Sequence, residues 1–449
     1  MKLISVLLLL LPALGLFQTG CRHAENPAKG RGPRIVILGL DGADWQLIDP
    51  LIAKGRLPLF KELKDKHAWG YLRTSTPAKS PIIWTSIATG KTLAKHGIDD
   101  FRAKTANAQG KFAIFNSMDI RQPLLWDMLG DHGRRSVLVN WYLSYPPRPL
   151  NGVNVSDFFR SSAASTRPRE RNQLSQTVYP PERAAELVKL LTPDYRQALQ
   201  RMNLPDFPEV YRRMQTGMEY LDLPIFKNYP DWVIEENLVT DIADHLFRSE
   251  DFDLFAAYFK MTDVVQHFAY MALVDNAYKK TLDQAMVHGE LPAALQAEAY
   301  ARLADILCPV YQNLEKVMRR YFEAEAGRDT YFIILSDHGF TFFQRAGTVR
   351  YNHVGPAKAP NGILIVRGPK VKAGKITLAG IYDIAPTVLY LLGLPLDRTM
   401  DGKPLAKLFT FRHASAYTVY KKKKFKPLKR NQDLDEKALK ELKALGYIN

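Results

Sequence analysis

The sequence predicts an α/β fold, a three-layer αβα sandwich around a mostly parallel sheet, with helical cap insertions. Two observations carry that prediction. Short apolar runs of strand length alternate with longer stretches of helical periodicity, the pattern of βαβ units joined by right-handed crossovers. Three of those runs also end on an acidic residue, as strands of an open sheet do where their carboxyl ends face a ligand crevice.

The elements follow in chain order. Met1-Lys2 opens a leucine-rich run through Phe17, too short to cross a bilayer and of the length of a secretory signal's apolar core. It ends at Gln18-Thr19-Gly20-Cys21, which resembles a bacterial lipoprotein signal, where cleavage leaves the cysteine as a lipid-bearing N-terminus. Residues 1–20 are read as the signal and 21–33 as a tether, with an ordinary cleaved signal peptide and then a retained anchor as the alternatives. The first part of the α/β core, 34–160, holds the strand Arg34–Leu40, which runs into Asp41. A helix over Pro50–Lys66 carries Leu51, Ile52, Leu59, Phe60 and Leu63, and a buried strand spans Ser136–Asn140. Residues 161–250 are rich in Arg, Gln, Glu and Pro, show helical periodicity, and read as a cap insertion. The second part of the core, 251–411, contains the strand Leu254–Thr262 running into Asp263, a helical insertion over 276–325, and the strand Tyr331–Ser336 running into Asp337-His338. A strand over Gly362–Arg367 and a helix over Ile381–Gly393 complete it, and 412–449 form a basic C-terminal segment.

With 449 residues, 46% hydrophobic and 24% charged, the chain has the composition of an ordinary globular protein able to bury a large core. Its net charge of +16 points to anionic partners, but much of the excess is local to Lys421–Lys424, Lys426, Lys429 and Arg430. Such a block reads first as a solvated tail and second as an attraction to a membrane surface. It is not interleaved with aromatics, so no specific nucleic-acid binding is expected. Of the two cysteines, Cys308 lies on an apolar helical face and reads as a buried thiol; with Cys21 lipidated, no intramolecular disulfide is possible.

The chemistry gathers at the strand ends. Asp41 stands in Gly39-Leu-Asp-Gly42, where glycine lets the chain turn sharply. Asp263 and His267 are four apart and share a face if a helix follows the strand at once. Asp337-His338-Gly339 puts two adjacent donors at a turn, and His353 lies in Tyr351-Asn-His-Val-Gly355. Carboxylates and imidazoles collected this way are ligands for one or two divalent metals. Ser80 directly precedes Pro81 and a helix-like run, which predicts Ser80 as a helix N-cap and Pro81 as its first residue. That position also sets a hydroxyl at the anion-attracting end of a helix, where a metal can ionise it into a nucleophile.

Taken in order, Asp41, Ser80 with Thr85-Ser-Ile-Ala-Thr-Gly90 and His96-Gly97, Asp263 with His267, Asp337-His338-Gly339 and His353 resemble the alkaline phosphatase superfamily. The likeness is to its type I phosphodiesterase/nucleotide pyrophosphatase branch, and it extends over roughly Arg34 to Leu408. The resemblance implies two divalent metals, zinc first and manganese second. Asp263, His267 and His353 would hold one; Asp41, Asp337 and His338 would hold the other, together with the Ser80 oxygen. Three departures stand out. Phe101 replaces an asparagine that would hold a phosphoryl oxygen, so Lys79 or Arg102 are candidates for that role. Pro81 removes a backbone N–H beside the nucleophile. The loop from His353 to Gly362 is longer than the family's spacing.

The expected function is metal-dependent hydrolysis of an anionic phosphate ester through a phosphoserine at Ser80, diesters before monoesters, by an exported protein held at a membrane through Cys21. The rivals are a phosphomonoesterase, a phosphoryl transferase and a sulfatase. The last needs a Cys-x-Pro-x-Arg nucleophile motif, which Ser80-Pro-Ile-Ile-Trp84 lacks. From another class comes a surface lipoprotein that binds an anion without turnover, its metals structural.

Overall fold

The computed structural model describes residues 32–106, 112–164, 173–209, 224–273, 276–286, 290–345, 348–353, 359–425, 436, 439–440 and 442–445. The signal, Cys21 and nearly all of the tether lie outside the described residues.

Nine strands form the central sheet: β1 Arg34–Leu40, β2 Ala68–Leu72, β3 Ser136–Val139, β4 Gly152–Val155, β5 Val178–Tyr179, β6 Leu254–Phe259, β7 Thr330–Leu335, β8 Gly362–Arg367 and β9 Gly374–Ile376. Their order across the sheet is β9-β2-β8-β7-β1-β6-β3-β4-β5. The centre is parallel: β1 lies between β6, with Leu40 opposite Phe259, and β7, with Gly39 opposite Leu335. Only β8 and β5 run against the rest, so the sheet is mixed but mostly parallel, with helices on both sides. The strands β1, β6 and β7, which lead into Asp41, Asp263 and Asp337, are therefore neighbours pointing the same way, and the segments that leave them meet.

Alternation along β1 explains the layers. Val36, Leu38 and Leu40 enter one core; Ile35 and Ile37 enter the other. The first core is covered by the helices Trp45–Ala53, Pro58–Lys66, Pro224–Ser249, Met261–Leu273 and Ala293–Ala324. The second lies under Ser80–Thr89, Leu125–Asp131 and Ile384–Leu391. From the two segments read as cap insertions, Pro224–Ser249 and Ala293–Ala324 bury Trp232, Val233, Leu238, Leu303, Leu307 and Tyr311 in the first core, as part of that layer. Cys308 is buried there as a free thiol.

Several boundaries differ from expectation: the strand read over Leu254–Thr262 stops at Phe259, with Met261 and Thr262 already in the next helix, and the helix read over Ile381–Gly393 spans Ile384–Leu391. The single helix predicted over Pro50–Lys66 is two helices, because Gly55 takes φ +69 after Lys54 and Pro58 starts a new turn. Ser80 is the first helical residue and not the N-cap. The Ile82 and Ile83 amides both donate to the Lys79 carbonyl, at 2.9 and 3.1 Å, so Lys79 caps with its backbone and the Ser80 hydroxyl makes no cap bond.

Candidate active site

Asp41 leaves β1 into a turn that only glycine fits: Gly42 has φ +67, and a Cβ there would lie 3.2 Å from the Cα and Cβ of Asp263. The Gly42 amide donates to Asp337 Oδ1 at 3.2 Å, tying the first strand end to the third. The helix Met261–Leu273 begins immediately after β6, which sets Asp263 and His267 one turn apart on one face. Its Gln266 donates to the Gly42 carbonyl at 2.6 Å and accepts from the Tyr351 hydroxyl at 2.9 Å. Tyr351 belongs to a hairpin, Thr341–Arg345 paired with Thr348–Asn352, which leaves after Asp337-His338 and brings His353 back to the strand ends.

The seven expected residues gather into two groups and a hydroxyl. Asp263, His267 and His353 offer ligand atoms within 4.8 Å of one another, and so do Asp41, Asp337 and His338. Within the first group, His267 Nε2 is 3.6 Å and His353 Nε2 3.9 Å from the Asp263 carboxylate. In the second, His338 Nε2 is 3.6 Å from Asp41 and 3.3 Å from Asp337. The imidazoles of His338 and His353 stack with centroids 3.7 Å apart, so the two groups adjoin. His353 Nδ1 faces the Ala78 carbonyl at 3.2 Å, an orientation that leaves Nε2 to a metal. The Tyr258 hydroxyl, from β6, donates to the Asp41 carboxylate, and the Thr262 hydroxyl, from the helix that follows, donates to the Asp41 backbone carbonyl.

The electrostatics fit cations. Burial first, then repulsion from Asp337 and Asp263, holds the Asp41 carboxyl well above its usual range. Burial also pushes Asp263 up, but His267, His353 and His338 outweigh it and hold Asp263 low. His353 is driven well below the usual imidazole value by burial and by His338 beside it. Asp41 Oδ1, Asp337 Oδ2, both ring nitrogens of His338 and the Ser80 hydroxyl are buried without a hydrogen-bond partner among the described residues. Polar atoms do not stay buried in that state without cost. Three buried carboxylates with three imidazoles and no thiolate form a donor set for zinc-like divalent ions, so the residues fit the group.

Ser80 and one carboxylate from each group, Asp41 and Asp263, border one cavity of about 110 Å³. The neighbouring hydroxyls are committed elsewhere. Thr85 donates to the Pro81 carbonyl at 2.6 Å. Ser86 lies 3.0 Å from His96 Nε2, while His96 Nδ1 accepts from the Ile98 amide at 3.2 Å. That tautomer makes His96 a donor to Ser86 and no base for it. Lys79 is paired with Asp100 at 2.8 Å and Arg102 opens the short strand Arg102–Ala106; neither lines the cavity. Phe101 and Pro81, the two departures near the nucleophile, both do.

Sequence reading missed several residues here. Arg160 and Lys260 also line the cavity, and both are held by the buried Glu235, which accepts from Lys260 Nζ at 3.2 Å and from the Ser161 hydroxyl at 2.8 Å. Lys260 carried a readable signal, a lysine in an otherwise apolar run, as did Tyr258 within the same strand. Leu442 and Leu445, from the C-terminal segment, complete the lining and carried none.

Comparison with known proteins gives a family for the chain and a shared fold. Residues 35–380 match the family described as type I phosphodiesterase / nucleotide pyrophosphatase. Among solved structures, the chain is similar to a 2-O GAG sulfatase, at 13% identity and TM-score 0.50, covering 86% of this chain and 79% of that one. A murine ectonucleotide pyrophosphatase / phosphodiesterase 5 matches at 10% identity and TM-score 0.46, over 84% and 100% of the two chains. A phosphonate monoester hydrolase from Silicibacter pomeroyi matches at 13% identity and TM-score 0.45, over 84% and 76%.

Proposed function

The chain belongs to the type I phosphodiesterase / nucleotide pyrophosphatase family, and from that premise we propose that it is a metal-dependent phosphodiesterase with Ser80 as its nucleophile. One observation carries the reading: the buried Ser80 hydroxyl, without a hydrogen-bond partner among the described residues, shares a cavity with one carboxylate from each of two adjoining ligand groups. Asp263, His267 and His353 would hold one divalent ion, and Asp41, Asp337 and His338 the other, zinc by donor set and manganese second. Bound there, such ions supply Lewis-acid charge for the hydroxyl and the phosphoryl oxygens.

The chain's own part is positioning. Ser80 Oγ, at the first turn of its helix, attacks phosphorus as the alcohol oxygen departs, and water then cleaves the phosphoserine. Pro81 contributes no amide to the developing charge, so what the chain itself offers there is the terminus of the Ser80 helix. Tyr258 and Gln266 hold Asp41 and its turn in place. The signal-like sequence ending at Cys21 supports a location outside the cytoplasm with a lipid tether at that cysteine.

The test is a comparison of kcat/KM for bis(p-nitrophenyl) phosphate, p-nitrophenyl phosphate and p-nitrophenyl sulfate, with zinc and with manganese. The diester is expected to be best. Preference for the sulfate would overturn the reading in favour of a sulfatase, and preference for the monoester would overturn the diester assignment. Full metal loading with no turnover of any ester would leave an anion-binding protein.

A further inference from the structure

We infer that the ester hydrolysed here carries an apolar alcohol, and that Leu442 and Leu445 of the C-terminal segment help select it; this rests on the phosphoesterase reading above. The cavity that meets Ser80, Asp41 and Asp263 is otherwise mostly hydrocarbon. Phe101, Phe115, Leu143, Phe158, Leu442 and Leu445 line it from four separate stretches of chain. Phe115, Phe158, Leu442 and Leu445 stay half-buried, apolar surface that a ligand can still cover.

The C-terminal contribution is built in. Leu442 and Leu445 are three residues apart and share one face of the last described helical turn. Ala444 and Leu445 pack against the first core, which fixes that turn beside the cavity. A polar alcohol entering this lining would lose water against rings and leucine methyls. Asp157, Ser161 and Tyr258, which also border it, already bond within the protein, and beyond Ser80 the Tyr142 hydroxyl is the one further polar group from an uncharged side chain among the described residues there. An alkyl or aryl alcohol gains from the same burial, and each methylene buried tightens binding roughly fourfold. The cationic part of the lining does not reverse this, because Arg160 and Lys260 are both engaged by Glu235.

The metal-loaded full chain is titrated with n-alkylphosphonates from methyl to octyl, whose C–P bond does not hydrolyse, and Kd is read from tryptophan fluorescence. The expected result is a fall in Kd approaching fourfold per methylene until the cavity is filled. Leu442→Asn with Leu445→Asn should lose at least half of that slope. A second variant, Phe158→Ser, should lower it from the opposite side of the sequence should the first fold poorly. A flat series in the wild type overturns the inference, as does tighter binding of ω-carboxyalkyl phosphonates, which would assign the pocket to an anionic alcohol through Arg160 and Lys260. Turnover of bis(p-nitrophenyl) phosphate in the same preparation separates the two claims. Turnover with a flat series defeats only the alcohol preference; no turnover and no phosphonate binding defeats the phosphoesterase reading itself.

Discussion

Gly39→Ala should damage both stability and turnover, although Gly39 touches no substrate and has ordinary strand geometry. It lies in β1 two residues before Asp41 and opposite Tyr258 of β6. A Cβ at this position would stand 2.7 Å from two carbons of the Trp84 ring, roughly 1 Å inside the optimum carbon–carbon separation. Trp84 has nowhere to go. It is fully buried and held edge-on by Trp141 and Tyr258, with centroids 5.3 and 5.0 Å away. Relief must therefore come from moving the helix Ser80–Thr89 or the strand that carries Asp41. Overpacking of this kind costs about 1–3 kcal/mol, and a shift of about 1 Å between nucleophile and ligands lowers kcat on the order of 100-fold. Denaturant midpoints and turnover of an aryl phosphodiester read the two effects. Gly130→Ala is the control, since its Cβ would meet only Lys423 Nζ at 3.6 Å within a helix and should stabilise by up to ~1 kcal/mol. An unchanged midpoint and kcat in Gly39→Ala would refute the rigid coupling of β1 to the Ser80 helix through Trp84.

Three further outcomes follow from particular residues. Burial pushes His96 down to about 4, so its neutral form stabilises the fold above the unfolded value near 6.5 and that contribution is lost as pH falls from there towards 4. At pH 5 the loss is about 2 kcal/mol, and His96→Gln, which does not titrate, should flatten the pH dependence of the unfolding midpoint; an identical profile would argue against it. Glu235→Gln leaves the buried Lys260 and the half-buried Arg160 without their shared carboxylate and should cost about 3 kcal/mol, measured by chemical unfolding, whereas a change under ~1 kcal/mol would show that the charges are already screened. Wild-type protein should partition into detergent through lipid at Cys21, and Cys21→Ser should not; equal partitioning would remove the anchor from the account.

How much of this was legible in the sequence depends on distance along the chain. The strand ends were readable because an unbroken apolar run that stops at an acid is a local pattern, as at Leu38-Gly-Leu-Asp41 and Ile334-Leu-Ser-Asp337. Asp263 and His267 were readable because helical spacing is local too. The hairpin that returns His353 is a short excursion with no alternation strong enough to announce it, so His353 was assigned as a ligand through the family resemblance and not from local pattern. Glu235 holds Arg160 across 75 residues and Lys260 across 25, a pairing that exists only once three elements are packed. The leucines at 442 and 445 lie more than 350 residues from Ser80, in a segment whose charge drew attention to its lysines instead. Lys422 and Lys423 of that block are themselves docked, on the Met118 carbonyl at 3.0 Å and on Asp131 at 2.7 Å.

The central claim is that Ser80 is the nucleophile between two metal-holding groups, and kcat of Ser80→Ala at measured metal content tests it most directly. The account predicts a fall of roughly 10³-fold or more, with the same number of metals per chain as the wild type and an unaltered unfolding midpoint. Near-normal turnover at the same metal content would contradict it.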